Sequence, residues 1–330
     1  MMRTQQVGRR RNWRKLLVIW LAFAFFGFNA VAFMQARSMT HYVPSGQRTP
    51  PPEQLSFLAK TWTILTGTTV PRPQNDHTPA DVELPYETQE IIISESEFQE
   101  AWHIAAIDSQ GIVLLFPGYA ESKESLLPAA LVFHEAGYDT MLVDFRGTGG
   151  SSGSVTTLGV REAEDVAYSL AYAKRIWPGR PIVLYGVSMG AAAVLRAIAT
   201  EAIQPDAVIL ESPFDSLLGT VGNRFNAMGL PAYPSAELLV FWGSVQQGFN
   251  GFTHNPADYA RSVTCPTLLL HGDQDPRVTV EQNDAIFQNV AGPKQLVSFP
   301  GAGHETLVVD APEAWEQYVT KFVHEYIGKD

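Results

Sequence analysis

Short runs of consecutive apolar residues alternate with segments of helical spacing from residue 87 to the C-terminus. The run IVLLF at Ile112–Phe116 is typical of a strand that is buried on both faces. We predict strands over residues 90–94, 102–107, 112–116, 140–143, 182–185, 207–210, 267–270 and 296–299, and helices over residues 122–135, 160–176, 189–202, 281–289 and 314–326. This alternation predicts an α/β fold with a mostly parallel central sheet of about eight strands and helices on both faces.

The first part of the chain shows a different pattern. Residues 16–34 form an uncharged, strongly apolar run that as a helix would span about 28 Å, close to the thickness of a bilayer core. Six basic residues and no acid precede it: Arg3, Arg9, Arg10, Arg11, Arg14 and Lys15. By the positive-inside rule, we predict a single-pass transmembrane anchor over residues 16–34, with residues 1–15 in the cytoplasm and the body of the chain outside it, on the periplasmic side in a bacterium. A signal peptide cleaved near Ala30-Val31-Ala32 is the alternative.

Residues 35–86 have the character of a connector, because eight prolines in this stretch disfavour long regular structure. Leu55, Leu58, Trp62 and Leu65 nevertheless recur at helical spacing, which predicts a short amphipathic helix. Two interpretations stay open for this helix: it docks on the folded domain, or it lies on the membrane surface. We assign residues 87–330 to the folded domain.

Composition excludes several classes of protein. Of the 330 residues, 45% are hydrophobic and 17% are charged, as expected for a globular domain with a sizeable core. The net charge is −11, and six of the 23 basic residues lie in the first fifteen positions, so the remaining chain has 17 basic and 34 acidic residues. Such an acidic body repels phosphate backbones, which excludes nucleic acid as an expected partner. The single cysteine, Cys265, excludes an intrachain disulfide, and we predict no metal or organic cofactor.

The segment Gly186-Val187-Ser188-Met189-Gly190 follows one predicted strand and begins a predicted helix. In this setting G-x-S-x-G is the pattern of a sharp turn that raises a serine hydroxyl above the edge of the sheet. Glycine is needed on either side of the serine because a side chain there would strike neighbouring backbone. We predict that Ser188 is a nucleophile, with a tight turn and an incidental serine as the alternative.

Four other segments follow the order of motifs in a known family. They are FPGY at 116–119, DFRGTG at 144–149 with Ser151 and Ser152, HGDQD at 271–275 and GH at 303–304. With the turn around Ser188, these motifs make the chain from about residue 87 onward resemble the α/β-hydrolase superfamily, and in particular its membrane-anchored ABHD-type serine hydrolases. The resemblance implies hydrolysis of an ester, thioester or amide bond.

A serine hydroxyl needs a base to remove its proton. His304 has the best context among the eight histidines, because it lies on a glycine-containing loop after the last predicted strand and comes last in chain order. His271, at the end of a predicted strand, is the alternative base or a structural residue. Asp273 and Asp275 both qualify as the acid that orients the base. The resemblance favours Asp275 and leaves Asp273 as a turn residue.

Acyl transfer also requires backbone N–H groups that stabilise the developing oxyanion. We predict the N–H group of Met189, directly after Ser188, as one donor. The resemblance implies the N–H group of Tyr119 as the second donor, although Pro117-Gly118 stands where the family usually has His-Gly. Only the backbone donor is needed, so this departure leaves the predicted oxyanion hole intact.

Residues 213–261 separate two predicted strands and are rich in Phe, Leu, Trp and Gly. We predict a lid-like excursion over an acyl pocket, with extra core packing as the alternative. The residues expected in this lid are Phe225, Met228, Leu230, Phe241 and Trp242. We further expect Ser122 and Lys123 to line the entrance of the site, and the segment from Asp144 to Arg146 to join two loops through a salt bridge.

Together these patterns predict a serine hydrolase with Ser188, His304 and Asp275 as its triad, most simply a carboxylesterase or a lipase-like enzyme. The neighbouring anchor favours a small-molecule or lipid-like acyl substrate. Two alternatives stay open: a serine peptidase, and a non-catalytic, membrane-tethered binding protein that retains the fold.

Overall fold

The core of the protein is an eight-stranded sheet, which confirms the predicted α/β fold. The structure is a computed structural model that describes residues 7–50, 54–304 and 306–328, with side chains from residue 13 onward. Arg3, the side chains of Arg9, Arg10 and Arg11, and the connector prolines 51 and 52 therefore lie outside the described part. The strands are β1 (Glu87–Ile92), β2 (Phe98–Ile104), β3 (Ile112–Phe116), β4 (Asp139–Val143), β5 (Ile182–Val187), β6 (Ala207–Glu211), β7 (Thr267–Gly272) and β8 (Lys294–Phe299).

The strand order across the sheet is β1-β2-β4-β3-β5-β6-β7-β8. Strand β2 is antiparallel to both of its neighbours, and the other pairs are parallel. Every residue of β3 to β7 is buried, because helices cover both faces of the sheet. The parallel arrangement brings the carboxyl ends of β3, β5, β6 and β7 to one edge, where ligands of such sheets bind.

Eleven helices occur in the described part of the chain. They are α1 (Val7–Thr40), α2 (Phe57–Thr66), α3 (Leu127–Glu135), α4 (Glu162–Ile176), α5 (Met189–Thr200), α6 (Leu217–Ala227), α7 (Ser235–Gln247), α8 (Pro256–Tyr259), α9 (Val280–Asn289), α10 (Leu307–Asp310) and α11 (Pro312–Tyr326). Phe133 of α3 and Trp315 of α11 belong to the core on one face of the sheet. Val166 of α4, Ala193 of α5 and Ile286 of α9 belong to the core on the other face.

The first two strands begin earlier than the apolar pattern indicates. Residues 93–97 form the turn of a hairpin in which Ile93 N donates to Glu97 O at 2.9 Å and Glu97 N donates to Ser94 Oγ at 3.2 Å. Strand β1 is largely exposed, so its sequence lacks the continuous apolar run that marks the buried strands. Similarly, a short 3₁₀ turn over Lys123–Leu126 replaces the start of the predicted helix over residues 122–135.

Helix α1 is longer than the apolar run that predicts it, and it extends to Thr40. Within the described residues, Trp13–Thr40 is the one helix that is long and apolar enough to cross a membrane. Helix α2 lies where the connector pattern predicts it, beginning after Ser56, whose hydroxyl accepts from Ala59 N. Gln35 of α1 donates to two carbonyls of α2, Thr63 O at 2.6 Å and Ile64 O at 2.7 Å, so the two helices are held together.

Candidate active site

Ser188 stands on a strained turn between β5 and α5. Its φ is +51° and its ψ is −109°, a conformation that residues other than glycine rarely adopt. A Cβ on Gly186 would lie 2.6 Å from Ala191 N, and a Cβ on Gly190 would lie 2.4 Å from Phe116 O. Glycine is therefore required at both positions, and the turn places Ser188 at the carboxyl end of β5.

The structure brings Ser188, His304 and Asp275 together. His304 Nε2 lies 3.1 Å from Ser188 Oγ, and His304 Nδ1 lies 2.6 Å from Asp275 Oδ2. The Asp275 carboxylate is shielded from solvent, and its Oδ1 accepts from Arg277 N at 2.7 Å and Val278 N at 2.9 Å. A carboxylate held in this way accepts the Nδ1–H of the imidazole and leaves the Nε2 lone pair to face the serine hydroxyl.

Asp273, the alternative acid, contacts a different group. Its Oδ1 accepts from Gly301 N at 2.7 Å, so it bonds a backbone amide, as a turn residue does, but on the neighbouring loop. A Cβ on Gly272 would lie 2.5 Å from Ala302 O, which shows how closely the loops after β7 and β8 approach each other. Asp273 therefore fastens the segment that carries His304.

His271, the alternative base, is buried at the end of β7. Its Nδ1 lies 3.1 Å from Asn283 Nδ2 on α9. Burial lowers the pKa of His271, and the neighbouring Asp275 and Asp273 only partly oppose this effect. A neutral ring that is bonded to an amide fits the structural interpretation of this residue.

Glu211, a buried carboxylate that sequence reasoning missed, lies beneath the site. Its main-chain carbonyl accepts from Ser188 N at 2.7 Å. Its side chain accepts from Leu307 N at 2.7 Å, Tyr185 Oη at 2.8 Å and Trp315 Nε1 at 2.9 Å. Burial raises the pKa of Glu211 despite these three donors. Glu211 thus joins the turn around Ser188 to the segment that follows the loop after β8. Its sole sequence signal is an acid at the end of the apolar strand AVILE.

The loop after β3 and the first turn of α5 carry the two predicted oxyanion donors. Strands β3 and β5 are adjacent, with Phe116 paired to Gly186. Gly190, at the start of α5, packs closely against the carbonyls of Phe116 and Pro117 in this loop. The loop after β3 and the start of α5 therefore touch at Phe116, Pro117 and Gly190, close to Ser188.

The side chain of Tyr119 is held by elements outside the sheet. Tyr119 Oη donates to Met39 O in α1 at 2.6 Å. Arg48 Nη1 donates to Ala120 O at 3.2 Å, and the Arg224 guanidinium lies 5.5 Å from the centre of the Tyr119 ring. The N-terminal helix, the connector and α6 thus converge on the loop that carries one predicted oxyanion donor.

The expectation that Ser122 and Lys123 line the entrance is wrong, because both residues are buried. Lys123 Nζ forms ion pairs with Glu100, at 2.7 Å, and with Asp144. Asp144 Oδ1 also accepts from Lys123 N at 2.7 Å, so Asp144 joins the loops after β3 and β4. The side chains of Lys123 and Asp144 are both fully buried, so each charge is stabilised by the other and not by water. The expected salt bridge thus exists, but with Lys123, since Arg146 pairs with carboxylates elsewhere.

A cavity of about 730 Å³ lies beside Tyr119. Its walls come from α1, α2, α6 and the segment over residues 228–235. Three of the predicted lid residues line it: Phe225, Met228 and Leu230. The other two, Phe241 and Trp242, lie on α7, where Trp242 contacts Phe33 of α1. Part of the predicted lid segment therefore lines the cavity, and another part packs against the N-terminal helix.

Basic groups predominate among the charged side chains of this cavity. Four basic residues and one acidic residue line it: Arg48, Lys60, Arg224, Arg277 and Glu121. This excess is opposite in sign to the acidic body of the chain and favours an anionic ligand. Among the described residues, no group of three or more His, Cys, Asp or Glu side chains could hold a metal ion.

Residues 107–229 match the protein family described as Serine aminopeptidase, S33. This segment includes Tyr119 and Ser188 and ends before Asp275 and His304. An uncharacterized protein of Mycobacterium tuberculosis is 30% identical over 196 residues, which are 58% of this chain and 62% of that protein. The lysophosphatidylserine lipase ABHD12 of Danio rerio is 25% identical over 168 residues, 50% of this chain and 43% of that protein. The chain thus spans less than two thirds of either relative.

The solved structure of the esterase Pf2001 from Pyrococcus furiosus is similar over most of the chain. It is 26% identical in sequence, has a TM-score of 0.65, and is matched over 78% of this chain and 97% of its own. The eight-stranded sheet, the strand–turn–helix around Ser188 and these similarities agree with one another. The chain belongs to the α/β-hydrolase superfamily.

Proposed function

We propose that this protein is a membrane-anchored serine hydrolase of the esterase or lipase type, with Ser188 as nucleophile, His304 as general base and Asp275 as the orienting acid. One observation carries the proposal: a hydroxyl, an imidazole and a carboxylate from three different loops lie in sequence at 3.1 Å and 2.6 Å. Structural roles alone do not require this order of groups at the ligand-binding edge of the sheet.

The reaction follows from this geometry. His304 Nε2 removes the proton of Ser188 Oγ as the oxygen attacks the acyl carbonyl carbon. The N–H groups of Tyr119 and Met189 stabilise the oxyanion, each contributing about 3 kcal/mol. The imidazolium then donates its proton to the leaving oxygen, and an acyl-enzyme remains. A water molecule, deprotonated by His304, attacks the acyl carbon. The imidazolium returns this proton to Ser188 Oγ as the carboxylic acid is released, and the Asp275 carboxylate stabilises the imidazolium in both steps.

The substrate class is an acyl ester of a lipid-like amphiphile. The apolar walls of the 730 Å³ cavity suit an acyl chain, and its four basic side chains suit an anionic group. The name of the zebrafish relative, lysophosphatidylserine lipase, points to the same kind of molecule. A cavity for an amino-terminal peptide would instead need acidic groups near the α-ammonium, which weakens the serine peptidase alternative.

Helix α1 anchors the enzyme in the membrane. Trp13–Thr40 is long and apolar enough to span a bilayer, and Arg14 and Lys15 lie at its N-terminal end. The positive-inside rule places that end in the cytoplasm and the domain over residues 87–330 on the opposite side. In a Cys265→Ala background, labelling of single cysteines placed at residue 4 and at Ser96 by an impermeant maleimide tests this orientation: we expect reaction at Ser96 alone in intact cells.

A fluorophosphonate probe and a p-nitrophenyl ester test the mechanism. We expect the full-length protein in detergent to be labelled and to hydrolyse p-nitrophenyl acetate, and Ser188→Ala to lose both activities. Ser96→Ala, a serine in an exposed turn, serves as the matched control and should match wild type. Labelling that persists in Ser188→Ala overturns the assignment, and a wild-type protein that neither reacts nor turns over supports the tethered binding protein instead.

Substrate comparisons test the class. Lysophosphatidylserine and zwitterionic lysophosphatidylcholine of the same acyl chain separate the contribution of the basic side chains from that of the apolar walls. We expect the anionic lipid to have the higher kcat/KM. An aminoacyl p-nitroanilide tests the peptidase alternative, and faster Ser188-dependent turnover of this anilide than of either lipid contradicts the lipid assignment.

A further inference from the structure

The contacts of helix α1 divide it into two parts. Over residues 13–28 its side chains are exposed, as expected of a helix that faces lipid. From Asn29 onward it packs on α7. Trp242 Nε1 donates to Asn29 Oδ1 at 3.2 Å, and Gln247 Nε2 donates to Thr40 Oγ1 at 3.1 Å. The second part of α1 therefore belongs to the folded domain as well as to the anchor.

A second face of this part of α1 lines the cavity. The lining residues are Phe28, Val31, Ala32, Gln35 and Met39. Positions 28, 32, 35 and 39 are spaced by three and four and share one face of the helix, and Val31 lies at the border of that face. Asn29, Phe33 and Thr40 of α1 contact α7, and each lies one position after a residue that lines the cavity. One face of α1 thus binds the domain, and the adjacent face encloses the cavity.

Helix α2 completes this wall and has two chemically different sides. Lys60, Thr63 and Ile64 line the cavity. On the outside, Phe57, Leu58 and Trp62 are 81%, 79% and 68% exposed. Gln35 ties the C-terminal end of α2 to the domain-packed part of α1, so this exposed apolar side belongs to the same end of the domain as the proposed anchor. Such a side is stable at a bilayer surface, where its aromatic and aliphatic groups leave water.

The cavity borders the proposed reaction centre on two sides. Tyr119, the predicted oxyanion donor, lines it and bonds Met39 O of α1. Pro276 and Arg277, which follow Asp275, line it as well. An acyl chain that passes from Ser188 beside Tyr119 into the cavity would lie along Met39 and Ala32.

On the basis of the proposed function, we propose that residues 28–39 of the membrane anchor form a wall of the acyl-binding chamber. A lipid moves from the adjoining leaflet into the chamber between α1, α2 and the segment over residues 228–235, and its acyl chain lies against α1. The anchor thus takes part in selecting the length of the acyl chain, in addition to tethering the enzyme.

A substitution within the chamber tests this role in the full-length protein. Ala32→Trp fills space on the chamber face of α1. Ala24→Trp makes the same change on the exposed part of the helix and is the matched control. The measurement is the ratio of kcat/KM for p-nitrophenyl dodecanoate to that for p-nitrophenyl acetate. We expect this ratio to fall about tenfold or more in Ala32→Trp and to stay at the wild-type value in Ala24→Trp.

An enlarging substitution provides the second readout. Met39→Ala removes side-chain volume from the same face, so the preferred chain should become longer than in wild type. If Ala32→Trp no longer reacts with the fluorophosphonate probe, its active site is not intact, and the chain-length preference of Met39→Ala alone tests the inference. An unchanged ratio in a reactive Ala32→Trp, or an unchanged chain preference in Met39→Ala, overturns the inference. If the wild-type protein shows no Ser188-dependent turnover of p-nitrophenyl acetate, the proposed function itself is overturned instead.

Discussion

The hydroxyl group of Tyr119 donates a 2.6 Å hydrogen bond to the main-chain carbonyl of Met39. This bond joins the loop that carries a proposed oxyanion donor to α1, the helix that carries the proposed membrane anchor. The two residues are 80 positions apart in the chain. The position of the oxyanion donor therefore depends on an element outside the sheet.

Replacing Tyr119 by phenylalanine tests this dependence. Tyr119→Phe keeps the backbone N–H but removes the bond to Met39, so the loop becomes less restrained and the N–H group less well aligned. Since a hydrogen bond contributes about 1 kcal/mol, we expect kcat for an ester to fall about fivefold. Tyr172→Phe removes a comparable bond, to Gln89, on α4 and should leave kcat unchanged. A wild-type kcat in Tyr119→Phe contradicts the coupling.

The two aspartates after β7 are expected to differ strongly in their effect. Asp275→Asn leaves His304 without the carboxylate that orients it, and kcat should fall on the order of 10³- to 10⁴-fold. Asp273→Asn perturbs one bond to Gly301 N and should lower kcat far less. Steady-state kinetics of both variants decide the assignment, which is reversed if Asp273→Asn has the larger effect.

Glu211 is expected to act as a positioning residue. Glu211→Gln places an amide NH₂ against the N–H and O–H donors that the carboxylate accepts, which should shift the segment after His304. We expect kcat to fall with little change in KM. Tyr185→Phe removes one donor to the same carboxylate but leaves the bond from Leu307 N, so it should retain kcat while losing about 1 kcal/mol of stability. Equal losses of kcat in the two variants would indicate a purely structural role.

His254 makes the fold sensitive to acid. It is buried, its Nε2 lies 3.0 Å from Leu158 O, and burial, with a smaller contribution from Arg196, lowers its pKa from 6.5 to about 3. Below pH 6.5 the unfolded chain gains a proton at this ring that the folded protein does not. Stability is therefore complete above pH 6.5 and declines as the pH falls toward 3, by about 2 kcal/mol at pH 5.

Urea unfolding of the full-length protein in detergent at pH 7 and pH 5 measures this loss. His254→Gln removes the titrating ring and can still donate to Leu158 O, so its stability should decline less between the two pH values. His77→Gln changes a histidine whose side chain is 72% exposed and should behave as wild type. The prediction fails if His254→Gln and wild type lose equal stability.

The patterns that predicted the fold are local ones. Continuous apolar runs such as Ile112–Phe116 identified the buried strands, because a strand covered on both faces tolerates no polar position. The exposed hairpin strand β1 lacks this pattern, so the apolar pattern predicts its start a few residues late. The turn around Ser188 was predictable for the same reason, because it depends on a short local motif with glycine at positions 186 and 190.

The sequence by itself determined the α/β architecture, the tight turn around Ser188, and the candidates His304, Asp275 and Asp273, because each depends on residues close together in the chain. Tertiary structure alone decided which aspartate faces His304, that Lys123 is buried, that Glu211 bonds Leu307 N, and that Met39 meets Tyr119. These contacts join residues that lie far apart in the chain and are formed only when separate elements pack. A hydrogen bond between distant groups has no periodicity or spacing that would reveal it in the sequence.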